Sequence, residues 1–306
     1  MGNKTTLKKT GAKRRALIRK AEAALLTRSA TVQNRLLALF LNELVNVVDI
    51  RGGRFVASVD SLQKFEASTF LQKFFKDVAT PTLRKLFTKA FGDINQQASV
   101  YFGRFKNPRF DDVQKIIFAQ LSEVAGMSPE AIKAGTGFVP KLLSNKTIER
   151  EVRAVAIRAI TSGTSIAEFR DVARIAIAGT SQKMGIVESH YYTHAHDSFA
   201  EYDRTVQNNF AAALDLNYAI YAGGEMRTTR EFCIQRNGNV YNREEILSWN
   251  SLDWQGKKEG NNILIDAGGY NCRHYFDWIS WQLAKQLKPS IQRSMFDVQL
   301  KKTNNG

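Results

Sequence analysis

Asn217-Tyr218-Ala219-Ile220-Tyr221, then Glu225-Met226-Arg227-Thr228-Thr229-Arg230, Phe232-Cys233 and Arg236-Asn237-Gly238-Asn239-Val240-Tyr241, mark the stretch where the hydrophobic pattern of this 306-residue chain changes. Upstream of Leu216, apolar residues recur every three or four positions, the spacing of a buried helix face. From Asn217 the period shortens toward that of a strand, and Asn237-Gly238 between Cys233-Ile234-Gln235 and Val240-Tyr241 predicts a hairpin. Further on the chain returns with Gly268-Gly269-Tyr270-Asn271-Cys272-Arg273-His274. That glycine turn is expected to carry the second of only two cysteines back toward the first.

Downstream of the hairpin, Asn242-Arg243-Glu244-Glu245 has the form of a cap for a short helix. A polar loop over 251–262, a strand at Ile263-Leu264-Ile265 and an apolar segment over 275–287 follow. Upstream, helical spacing fills 21–48, 61–102, 111–125, 147–160 and 182–213, and Ser165-Ile166-Ala167-Glu168 is a capping box that opens another helix. Residues 54–59 are expected as a short strand, and the glycines and proline of 126–145 mark a linker. Twelve of the nineteen phenylalanines lie between Phe40 and Phe118, at the spacing of core positions and not of a base-stacking platform. The expected fold class is α+β, with a mainly helical N-terminal domain followed by a helix-plus-small-antiparallel-sheet module. The expected divisions are a basic arm at 1–20, a helical domain at 21–140, the α+β module at 147–288 and a basic tail at 289–306.

The net charge of +15 is unevenly placed. Lys4, Lys8, Lys9, Lys13, Arg14, Arg15, Arg19 and Lys20 give the first twenty residues +8 with no acid, and residues 285–306 carry +4, which leaves +3 for everything between. Basic ends of this kind bind polyanions by releasing counterions, so these eight side chains are the candidate contacts to DNA phosphates. The longest apolar run, 36–48, is interrupted by Asn42, Glu43 and Asn46 and is too short to span a bilayer, and the basic start lacks the apolar run of a secretory signal. No membrane partner is expected, and two cysteines in a cytoplasmic chain are expected as thiols.

Cys233, Cys272 and His274 are the candidate metal ligands, because thiolate and imidazole are the donors zinc prefers. The paired Cys-x-x-Cys spacing is missing, so the sequence supports thiols packed as small apolar groups, with no metal and no cofactor. His190, His194 and His196 include an i,i+4 pair, but Tyr191 stands where a zinc-hydrolase helix needs glutamate. The sequence holds no phosphate-binding loop and no dinucleotide fingerprint.

The C-terminal layout resembles the phage Mu F-like minor head protein family, also called phage head morphogenesis proteins. The resemblance rests on Glu225 as the acidic residue, Arg227-Thr228, Cys233, the turn and strand from Asn237-Gly238 to Tyr241, and Asn271-Cys272-Arg273-His274 as the closing motif, with Arg236 in the same module. His274 stands where the family has a second cysteine. The resemblance implies a non-enzymatic minor component of a tailed-phage head, located in the virion near the portal or inside the shell and in the host cytoplasm during assembly. Its implied partners are the portal protein or the major capsid protein, and its basic termini would contact packaged double-stranded DNA. The alternatives are a metal-dependent hydrolase or nuclease using the Cys/His groups, and a nucleic-acid-binding protein unrelated to phage. Arg227, Thr228, Arg236 and Arg273 are expected to form the polar network that fixes the module.

Overall fold

The computed structural model describes residues 4–134, 137–143 and 146–297. The fold is mainly helical α+β. The helices are α1 (Lys4–Val47), α2 (Val59–Ala67), α3 (Phe70–Phe74), α4 (Thr80–Phe102), α5 (Phe110–Ala125), α6 (Pro129–Ala134), α7 (Phe138–Leu142), α8 (Lys146–Thr161), α9 (Ile166–Ala173) and α10 (Ile186–Ala213). After the change of period come the short helices α11 (Glu231–Ile234), α12 (Arg243–Ser248), α13 (Ile263–Asp266) and α14 (Trp281–Leu287). Strands β1 (Ile50–Arg51) and β2 (Arg54–Phe55) form a two-stranded pair, and β3 (Tyr218–Gly223), β4 (Val240–Asn242) and β5 (His274–Ile279) form an antiparallel sheet in the order β4-β3-β5. No described helix is long and apolar enough to cross a membrane.

The chain divides into two compact units, each assembled from separated stretches of the sequence. Among the described residues, one contains 4–20, 89–128 and 196–297; the other contains 21–88, 129–134, 137–143 and 146–195. Three of the four divisions fall inside α1, α4 and α10, where no turn signal exists to announce them; the fourth, between Ser128 and Pro129, falls in the expected linker.

In the second unit, Phe40 and Phe55 pack on Phe169, and Phe65 lies against Phe70. Ser165 and Glu168 make the reciprocal capping box at the start of α9 that their spacing predicts. Phe75–Ala79 is wound as a π-turn just before Pro81, which offers no N–H to the carbonyl four residues back.

The first unit is built around β5, all six residues of which are buried although it lies at a sheet edge. Its pairing with β3 runs from Tyr218 opposite Ile279 to Gly223 opposite His274. The carbonyls of Cys272, His274, Phe276 and Trp278 are instead taken by side chains of three helices. Arg204 of α10 donates through Nη1 to Cys272 and His274 (3.1 and 2.9 Å), and His196 donates to Cys272 (3.0 Å). Arg14 of α1 donates to Phe276 (3.3 Å), and the hydroxyl of Tyr101 in α4 donates to Trp278. A buried edge would otherwise leave these acceptors without partners.

Two features differ from expectation near the termini. Residues 4–20 are the first turns of α1 and not a free arm. Arg14 in particular is buried, with Nη2 2.6 Å from Asp203 and Nη1 2.9 Å from Asp277. Arg15 is half-buried and donates to the Tyr275 hydroxyl. Lys9, Lys13, Arg19 and Lys20 are exposed, while the side chains of Lys4 and Lys8 lie outside the described residues. At the other end Ile291 and Ser294 are buried, and Asp297 accepts from Asn217 (2.8 Å) and Tyr218, so the tail is packed at least to residue 297.

Burial raises the Asp277 pKa to about 6, against the opposing pull of Arg14 and with the help of Asp203. A carboxyl that holds its proton longer in the folded state than its ordinary value of about 4 favours folding at low pH, and the contribution is lost as pH rises through that window. We predict that Asp277→Asn flattens stability between about pH 4 and 6 relative to the wild type, measured by urea unfolding at each pH. Arg14→Met leaves two buried carboxylates without their cation and is expected to cost about 3–5 kcal/mol in the same assay at pH 7.

Candidate metal centre

Cys233 and Cys272 meet in the first unit, as the sequence leads one to expect, although the local route differs. The hairpin does not form. Glu231–Ile234 is a turn of helix, α11, followed by turns to Gly238, and the strand β4 pairs with β3. Gly238 lies in the left-handed region (φ 80°) and donates its N–H to the Tyr221 carbonyl at 2.7 Å, so the Asn-Gly turn closes onto β3. Asn237 supports it by accepting from the Gly223 N–H (3.1 Å) and donating to Glu225 (2.8 Å).

The returning loop is held by polar side chains around it. Ile263–Asp266 is a helix and not the expected strand, because Asn262 caps it by accepting from the Leu264 N–H. Lys258 gathers Glu201, Asp266 (3.3 Å) and Asp197 (3.4 Å), tying this loop to α10. Arg230 donates to the carbonyls of Gln255 (2.8 Å) and Tyr270 (2.7 Å), and Trp254 stacks on Phe232 while its indole N–H donates to Gly268 (2.9 Å). Asn271 adopts the left-handed conformation (φ 55°) that asparagine tolerates best after glycine, and its N–H donates to Asp197 (2.8 Å).

The result is a sealed cluster. Cys233 Sγ lies 3.8 Å from Cys272 Sγ, which lies 3.8 Å from His274 Nδ1, and the three donor atoms all fall within 4.8 Å of one another. Tyr221 brings its hydroxyl to 3.3 Å from Cys233 Sγ and 3.8 Å from Cys272 Sγ, with its ring stacked on His274. The backbone N–H groups of Gly268 (3.1 Å) and His274 (3.5 Å) point at Cys272 Sγ. Cys233, Cys272 and His274 are only 1%, 2% and 3% exposed. A β-carbon on Gly268 would sit 2.3 Å from Cys233 Sγ and 2.9 Å from Cys272 Sγ, so only glycine admits both sulfurs.

The two thiols are not equivalent. The hydrogen bond from Cys233 holds Cys272 well below the ordinary thiol range, against its burial and with help from His274 and Arg204. The same sharing, together with burial, pushes Cys233 up. Burial, then the two sulfurs, pushes Tyr221 well above the ordinary phenol range. Arg204 adds a buried positive charge whose Nε and Nη2 have no hydrogen-bond partner among the described residues.

The expected polar network is only partly realised. Arg236 belongs to it, donating to the Phe232 carbonyl (2.9 Å) and lying over the Phe232 and Trp249 rings. Arg227, Thr228 and Arg273 are exposed and brace nothing in the sulfur cluster. Their places are taken by Arg204, Arg230 and Lys258, and Tyr221 joins the site from β3. The signal for Arg204 was in α10, where His196, Asp203, Arg204 and Gln207 are buried polar residues among apolar ones. His190 and His194 do not join this cluster; their rings meet edge to face with centroids 5.3 Å apart in the second unit, and both line a pocket with Glu151 and Arg158.

No protein-family model matches the chain, and no curated protein or solved structure matches it.

Gly268→Ala is expected to cost about 1–3 kcal/mol through overpacking against the sulfurs. Gly92→Ala, in α4 with nothing near the added carbon, is expected to be neutral or stabilising. Chemical denaturation of both variants checks the pair.

Proposed function

We propose that the protein is a minor head-morphogenesis protein of a tailed bacteriophage, non-enzymatic, placed near the portal or inside the shell and contacting packaged DNA. The observation that carries this reading is that the separated residues of the head-morphogenesis motif converge. Glu225 bonds Asn237, Gly238 bonds Tyr221, and Cys233 lies against Cys272. A module that brings its motif together this way supports a structural role for the motif.

The exposed motif residues complement this reading. Arg227, Thr228 and Arg273 hold no part of the sulfur cluster together, so they are free to meet a portal or capsid subunit. The contact to DNA falls to Lys9, Lys13, Arg19 and Lys20, with Arg14 assigned to the core. A hydrolase or nuclease built on Cys233, Cys272 and His274 finds little support, because groups exposed by 3% or less give a substrate no approach.

Mass spectrometry of purified virions is expected to find the chain in the particle, and its absence from particles of the phage that encodes it would overturn the proposal. In a DNA titration, replacing Lys9, Lys13, Arg19 and Lys20 together by alanine is expected to flatten the dependence of log affinity on log salt by up to about 3–4, at roughly 0.9 for each phosphate no longer neutralised. Arg227→Ala with Arg273→Ala is expected to leave the thermal midpoint within about a degree or two while reducing incorporation into heads, because exposed substitutions change stability little.

A further inference from the structure

We propose that Cys233, Cys272, His274 and Tyr221 form a closed structural site for a borderline-soft divalent metal, zinc being the ion it fits. The first support is geometric. Two zinc–sulfur bonds of about 2.3 Å at the tetrahedral angle hold their sulfurs about 3.8 Å apart, and a sulfur and an imidazole nitrogen about 3.6 Å apart. The corresponding separations are 3.8 Å between the sulfurs and 3.8 Å between Cys272 Sγ and His274 Nδ1. The Tyr221 oxygen, at 3.3 and 3.8 Å from the two sulfurs, stands at a fourth corner.

The second support is that these polar groups face one another and little else. Among the described residues, His274 Nε2 is buried with no partner, and Nδ1 has a sulfur at the outer limit of contact. A cation on Nδ1 gives that nitrogen's lone pair a partner stronger than the sulfur. The two N–H groups aimed at Cys272 Sγ stabilise a thiolate there and not a thiol. Arg204, fixed to the carbonyls of Cys272 and His274, orients both ligands from behind.

The third support is the build of the site. Its donors come from β3, α11 and the junction of the returning loop with β5, so one ion would fasten three segments that no disulfide joins. Binding balances as follows: the one proton that Cys233 and Cys272 share leaves to solvent, two metal–sulfur bonds, one metal–nitrogen bond and one metal–oxygen bond form, and the divalent charge is neutralised by the two thiolates. Tyr221 binds as the neutral hydroxyl and keeps its proton. Burial on all sides leaves no open coordination position for substrate, which makes the site structural and not catalytic.

The test is elemental analysis of the full chain purified under reducing conditions, followed by removal of metal and titration with Zn2+ and Co2+. One zinc per chain is expected, together with release of one proton per ion and, for cobalt, tetrahedral d–d bands with sulfur-to-metal charge transfer. Cys272→Ser and His274→Gln are expected to lose stoichiometric zinc, and Tyr221→Phe to weaken binding about tenfold while keeping the charge-transfer bands. Because the cysteine variant can fail to fold, the wild-type titration decides. Wild-type protein with native circular dichroism that takes up neither ion, or whose sulfurs are joined as a disulfide after reductive purification, would overturn the proposal. So would unchanged zinc affinity in His274→Gln. This result stands apart from the virion assay, which can succeed or fail whatever the zinc content.

Discussion

The outward edge of β5 is the constraint on which the sulfur-bearing unit depends. Four successive outward carbonyls, of Cys272, His274, Phe276 and Trp278, have no neighbouring strand, and all four are buried in protein. Each unmet acceptor of this kind costs on the order of 1–3 kcal/mol, so the edge must be closed for the strand to exist where it does. Arg204, His196, Arg14 and Tyr101 close it from α10, α1 and α4. Two of the four are charged residues whose burial is itself costly. Arg14 is compensated by Asp203 and Asp277; Arg204 has two carbonyls and the nearby sulfur of Cys272, which is held toward the thiolate.

That closure links fold to site. Arg204 grips the carbonyls on either side of Arg273, which sets the backbone that presents Cys272 and His274 inward and leaves Arg273 to solvent. Arg230, Lys258 and Trp254 then fix the loop that approaches from the other direction. Cys233, on the single turn α11, meets Cys272 only because Gly268 leaves the space between them empty. The same basic N-terminal segment thus splits by helical phase: Arg14 faces the core, and Lys9, Lys13, Arg19 and Lys20 face out.

What the sequence disclosed followed from local physics. The capping boxes Ser165/Glu168 and Asn242/Glu245 both form, because the reciprocal bonds need only residues three apart. The helices over 110–125 and 146–161, the strand β3 and the meeting of the two cysteines were legible for the same reason or from turn chemistry. β5 was not, since a strand buried on both faces shows no alternation. Residues 231–234 and 263–266 are helical turns held by Arg230, Trp254 and Asn262, partners that a strand-like apolar pattern does not reveal. Arg14 was misassigned because net charge along a segment says nothing of which side chain faces Asp203 and Asp277. The interleaving of the units was invisible because three of their four limits fall within α1, α4 and α10, where the local pattern is uninterrupted.

The most direct check on this account is the reactivity of the two thiols in the folded, metal-free protein toward a small aromatic disulfide reagent. If β5 is closed by Arg204 and its neighbours, Cys233 and Cys272 react only at the rate of unfolding, and Arg204→Met speeds both without denaturant. Prompt reaction of both thiols in the wild type would contradict it.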